Sequence, residues 1–147
     1  MLGKNEVLIV FLAFALSVIL ATITYCSYPG PDSETKSVGD VLPYGSWILR
    51  ASITAYYITD DPYHYGKAVH SAGSSATGYV VYKDWLTMYM YTENYEDWTY
   101  TGGDSISVSY SGLYTRFAKT KAMRTFEDTR LGYFWTASVE ADVVASP

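Results

Sequence analysis

Two histidines, His64 and His70, follow closely behind the acidic pair Asp60 and Asp61. Imidazole plus carboxylate is a donor set for zinc or copper, although this spacing matches no metal signature. A second set, Glu93, Glu96, Asp97 and Asp104, brackets the aromatic segment 98–100 and a Gly102-Gly103 turn. Calcium needs several oxygens converging in a loop, and these four could offer them outside any EF-hand spacing. Arg116, Lys119, Lys121 and Arg124 form the one basic cluster, interleaved with Tyr114 and Phe117. That pattern suits anionic headgroups, teichoic acid or acidic glycans. Each set also has a plain alternative: turn histidines, a solvated acidic hairpin, and a solvated strand face.

Nucleophilic chemistry has no support in the chain. The segment Gly73-Ser74-Ser75-Ala76-Thr77-Gly78 lacks the spacing of a nucleophile elbow. No acid, base and nucleophile can be named together, so the expectation is a non-enzyme without a cofactor. The aromatic content says more. With 16 Tyr and 4 Trp, the chain holds more large rings than one small core absorbs. Tyr89, Tyr91, Trp98 and Tyr100 are the ligand-contact candidates, because saccharide and protein partners both use exposed rings.

The elements that carry these residues read as strands. Residues 45–57 alternate, with Trp47, Leu49, Ala51, Ile53, Ala55 and Tyr57 on one face. Asp60-Asp61-Pro62 ends that run. A short strand is expected over 67–70, a loop over 71–75, and strands over 77–82 and 85–92, the last with Leu86, Met88 and Met90 on one face. Segment 98–100 is β-like, and Gly102-Gly103-Asp104 is a turn. Ile106, Val108 and Tyr110 alternate with serines. Residues 114–125 fit a helix or a strand, and the surrounding Thr, Phe and Tyr favour the strand. Trp135, Ala137, Val139, Ala141 and Val143 mark the final strand. Seven or eight short strands predict an all-β antiparallel β-sandwich.

Ahead of it lies a different kind of segment. Residues 7–31 carry no charge, and residues 7–25 contain twelve Val, Leu, Ile or Phe. At the helix centre these contribute roughly −5 kcal/mol toward bilayer insertion. The expectation is a transmembrane anchor or signal helix over 1–26, a flexible linker over 27–43 and an extracytoplasmic β domain over 44–147. Lys4 precedes the apolar run and Asp32 and Glu34 are the first charges after it, which sends the bulk outward. The lipid bilayer is thus the partner of residues 7–25. Cleavage between Cys26 and Ser27 would release a secreted domain, acylation of Cys26 would lipidate it, and cleavage after Gly3 would give a pilin-like filament subunit. Cys26 is the only cysteine, so packing alone holds the domain. The formal charge of −5 disfavours nucleic acid as a partner.

Gly45-Ser46-Trp47, followed by Tyr63-His64-Tyr65-Gly66-Lys67-Ala68-Val69-His70-Ser71-Ala72, resembles the lactococcin-like bacteriocins. The resemblance covers about residues 45–72 of the chain. It implies a small secreted β-sandwich that acts as an antibacterial at the target cell envelope. The residues themselves point first to a membrane-tethered, non-enzymatic module that binds glycan or protein at the cell surface. The bacteriocin-like effector and the filament subunit are the alternatives.

Overall fold

The computed structural model describes residues 30–61 and 63–146. The apolar segment, its processing and Cys26 lie outside the described residues. Among those described, no helix is long and apolar enough to cross a membrane.

Alternating sequence becomes alternating burial throughout. The first sheet contains β1 (Asp32–Leu42), β2 (Gly45–Tyr57), β3 (Tyr65–Gly78) and β7 (Ser105–Thr115), in the order β1-β2-β3-β7. The second contains β4 (Val80–Tyr82), β5 (Leu86–Thr92), β6 (Tyr95–Thr101), β8 (Phe117–Asp128) and β9 (Tyr133–Val144). In it β8 is central. On one side it pairs with β9, and on the other with β4 and β5 end to end, with β6 outside β5. All pairings are antiparallel, so the all-β expectation holds as two antiparallel sheets packed face to face. Where residues 83–85 interrupt the ladder, the Asp84 carboxylate accepts from Thr125 N at 2.8 Å and Thr125 Oγ1 at 2.7 Å.

The core lies between the sheets. Trp47, Leu49, Ala51, Ile53 and Ala55 of β2 face inward as their period predicts, as do Leu86, Met88 and Met90 of β5. From β8 come Ala118, Ala122 and Phe126, and from β9 Ala137, Ala141 and Val143. Across β2 and β3 the inward pairs are Trp47 with Ala76, Ala51 with Ala72 and Ala55 with Ala68. Alanine on both sides of two of these pairs lets the facing layer approach closely.

Three expectations are corrected. Residues 27–43 are not a linker to their end, because Asp32–Leu42 forms β1 along the full edge of β2. That strand is mostly exposed and carries no apolar alternation, so composition hid it. Residues 71–75 are not a loop but the middle of β3, between β2 and β7. Their small side chains serve the close packing just described. The strand count is nine among the described residues, not seven or eight.

Gly78 illustrates a turn that only glycine serves. Its φ is +66°, and an added Cβ would stand 2.2 Å from the Tyr44 carbonyl. At the β1/β9 side, Glu34 accepts from Asp142 N at 2.6 Å, with Lys36 Nζ 3.0 Å away. The Asp142 amide first, then Lys36, hold the Glu34 carboxyl below the usual range.

Candidate functional site

The outer face of the second sheet gathers the aromatic candidates. Register places Tyr89 opposite Trp98 and Thr87 opposite Tyr100. The Tyr89 and Trp98 rings lie 4.5 Å apart, Tyr89 and Tyr91 6.3 Å, and Tyr91 and Phe117 5.9 Å. Trp85 meets Tyr100 edge-on at 5.5 Å. Trp98 is 52% exposed, Tyr100 67% and Trp85 57%, so these rings stand in solvent instead of filling the core. Cross-strand ring pairs of this kind stabilise a sheet and also leave flat π-faces for a ligand.

Polar groups border the rings. The Tyr89 hydroxyl donates to Glu96 Oε2 at 2.7 Å, and that carboxylate pushes the phenol up to about 12. It therefore stays protonated at physiological pH. On β8, Lys121 is opposite Tyr89 and Lys119 opposite Tyr91. Both reach Glu140, at 3.0 and 3.2 Å, and Lys121 first, then Lys119, lower its pKa. The surface offers apolar rings with fixed donors and acceptors beside them.

The basic cluster does not exist as a patch. Lys119 and Lys121 point outward with Glu140, while Arg124, of opposite parity on β8, points inward and is buried. Arg116 lies at the end of the sandwich, where its Nε donates to His64 Nε2 at 2.7 Å. Strand alternation separates residues that sequence proximity grouped.

The four acidic candidates do not converge either. Glu96 faces outward with Tyr89, whereas Asp97 faces the other way and accepts from Tyr95 and Tyr110 hydroxyls at 2.9 and 3.2 Å. Glu93 is in the β5–β6 turn, and Asp104 in the β6–β7 connection at the far end of β6. Nor do His64 and His70 share a site. His64 bonds Asp61 through Nδ1 in the β2–β3 loop, and Tyr114 donates to the same carboxylate. His70 is buried in the core, with Nδ1 2.9 Å from Thr120 Oγ1 and, among the described residues, no partner at Nε2. Among the described residues, no three His, Cys, Asp or Glu side chains are placed to hold a metal.

Burial lowers the His70 pKa from 6.5 to about 4. The ring is neutral in the fold, while the unfolded chain takes up a proton below 6.5. Stability present above that value is lost as pH falls toward 4. The expected loss is about 2 kcal/mol between pH 6.5 and about 4.5, above the range where most carboxylates titrate. Urea unfolding midpoints across that window measure it, and His70→Leu should flatten the slope. An unchanged slope in that variant would show that His70 is not the group responsible.

Sequence reasoning missed two structural devices. Arg124 is the first, a buried hub joining β8 to two loops. The second is a clamp in which Asp32 Oδ2 accepts from Tyr57 and Tyr65 hydroxyls at 2.6 and 2.8 Å. Parity along residues 117–128 could have revealed the first, since Phe126 and Arg124 lie on the same face of one strand. No local signal announces the second, because its partners are 25 and 33 residues from Asp32.

No family model matches the chain, and no curated protein matches it. Among solved structures it is similar to one assigned to ApaA of Bordetella pertussis, at 9% identity over 82% of this chain and 98% of that one. The TM-score is 0.30, too low to argue fold or function from it.

Proposed function

We propose that this protein is a non-enzymatic, membrane-tethered module that binds saccharide at the cell surface through the outer face of its second sheet. The single observation that carries the reading is the solvent-standing row of Trp98, Tyr100 and Trp85, with Tyr89 tilted against Trp98 and fixed by Glu96. Large rings cost free energy in water, and an exposed group of them marks a surface that meets a partner. The uncharged apolar run over residues 7–25 supports the tether. Seven Cα steps from Tyr25 to Asp32 span at most about 25 Å, which would hold the sandwich close to the bilayer with its side faces free.

The test is co-sedimentation of the full chain, in non-ionic detergent, with insoluble envelope polysaccharide. The native chain should bind saturably. Trp98→Ala with Tyr100→Ala removes two stacking faces of about 1 kcal/mol each and should weaken binding roughly tenfold or more. Both rings are exposed, so the circular dichroism spectrum should stay native, and loss of the two cross-strand ring pairs, about 0.2–1 kcal/mol each, should lower the melting temperature by only a few degrees. Failure of the native chain to bind, or equal binding by the double variant, would reject the reading.

A further inference from the structure

At the end of the sandwich away from Asp32, the β1–β2 and β8–β9 turns border a cavity of about 300 Å³. Three aromatic residues line it: Trp47, Tyr133 and Trp135. Trp47 and Trp135 are 5.7 Å apart with their planes at 59°, and Tyr133 stacks on Trp135 at 5.9 Å. Two walls therefore meet at an angle, and Leu131 stands exposed beside them. Two carboxylates, Asp40 and Asp128, complete the lining.

Asp128 is the unusual member. It is 2% exposed, yet among the described residues it has no cationic partner. Its Oδ1 accepts from the amides of Arg130 and Leu131, which shapes the turn and leaves Oδ2 without a protein donor among the described residues. The Arg130 guanidinium is engaged elsewhere, 3.7 Å over the Tyr44 ring. Aromatic faces around Asp128 attract cations through their quadrupoles, most strongly when water is excluded.

We infer that this cavity binds an alkylated ammonium group, such as a trimethylammonium head, with Trp47, Tyr133 and Trp135 around it and Asp128 as counter-ion. The site is separate from the ring surface on the second sheet and does not depend on it. The chain's net charge of −5 favours approach of a cation.

The experiment is a titration of the full chain, in non-ionic detergent, with choline and with its uncharged isostere 3,3-dimethylbutan-1-ol. The readout is the indole N–H resonances of the four tryptophans. Trp135 Nε1 is buried without an acceptor among the described residues, which makes it a distinctive reporter. Choline should move the Trp47 and Trp135 signals saturably and bind about tenfold or more tighter than the isostere. Asp128→Asn keeps the turn-capping oxygen and removes the charge, so it should erase that preference. Phosphocholine separates the sources: binding as tight as choline indicates a lipid or glycan headgroup, and weaker binding a free or peptide-borne amine. No saturable change up to about 50 mM, a smaller preference over the isostere, or shifts confined to Trp85 and Trp98 would each overturn the inference. Trp98→Ala with Tyr100→Ala should leave choline binding intact, so failure at one surface is distinguishable from failure at the other.

Discussion

Replacing Arg124 by Met is expected to cost about 2–4 kcal/mol of folding stability, a large fraction of what a domain of this size has. The guanidinium is buried in the sandwich without an ion pair among the described residues. Its charge is balanced by dipoles instead. Nη1 donates to Ser74 Oγ and to the Gly103 carbonyl, both at 2.8 Å, and Nε donates to the Asp84 carbonyl at 3.2 Å. The face of the group lies 3.5 Å over the Tyr82 ring. Burial pulls the Arg124 pKa down, and Tyr82, Asp104 and Asp84 oppose that. Met fills similar volume but leaves the buried Ser74 Oγ without its donor, at about 1–3 kcal/mol, and gives up the contact with Tyr82, whereas the Asp84 and Gly103 carbonyls, on exposed turns, can turn to water. Lys keeps the charge without the fork, so Arg124→Lys should fall between the native protein and Arg124→Met. Chemical denaturation measures the totals. Hydrogen exchange locates the effect: the Ser74 amide, which bonds the Asp104 carbonyl at 2.8 Å, should lose protection first. A change within about 0.5 kcal/mol for Met would mean the hub contributes little.

Phe126→Ala is expected to be similarly severe, at about 3–5 kcal/mol. The ring is fully buried on β8, 4.9 Å from Trp47, 5.9 Å from Tyr82 and 6.0 Å from Trp135. Those neighbours are large and held from several sides, so they cannot collapse into the space, and the residual cavity adds to the lost transfer energy. Phe126→Leu should cost much less. The measurement is the denaturant midpoint at constant m-value. A second consequence links packing to function. Phe126 sets the position of Trp47 and Trp135, so Phe126→Leu should weaken choline binding while leaving saccharide binding by Trp98 and Tyr100 unchanged. If the stability loss for Ala stayed below about 1 kcal/mol, the packing described for this end of the core would be wrong.

Much of the fold was legible where one face of a strand is apolar and the other is not. β2, β5 and β9 announce themselves by period two, and their inward residues are those the alternation selects. Reading failed where alternation is absent for a reason. β1 is an exposed edge strand whose ladder partner is β2 alone and whose other contacts are made by polar side chains, so its composition resembles a linker. The middle of β3 is small and polar because facing residues supply the bulk there. Tyr89, Tyr91, Trp98 and Tyr100 were nominated from composition, and they share a face because β5 and β6 pair in a register that places Tyr89 on Trp98. The basic cluster failed for the opposite reason, since parity on one strand turned Arg124 inward.

The amino-acid order by itself thus determined what depends on short-range periodicity and composition: the strand-rich domain, the inward faces of its apolar strands, its acidity and the apolar segment ahead of it. Only the tertiary structure decided which distant residues meet. Asp32 finds Tyr65, Arg124 finds Ser74, and Trp47 finds Trp135 through pairings of strands far apart in sequence. The physical reason is that a strand's hydrogen-bonding groups are the same at every residue. Side-chain alternation selects a face, but partner and register come from the packing of the whole core.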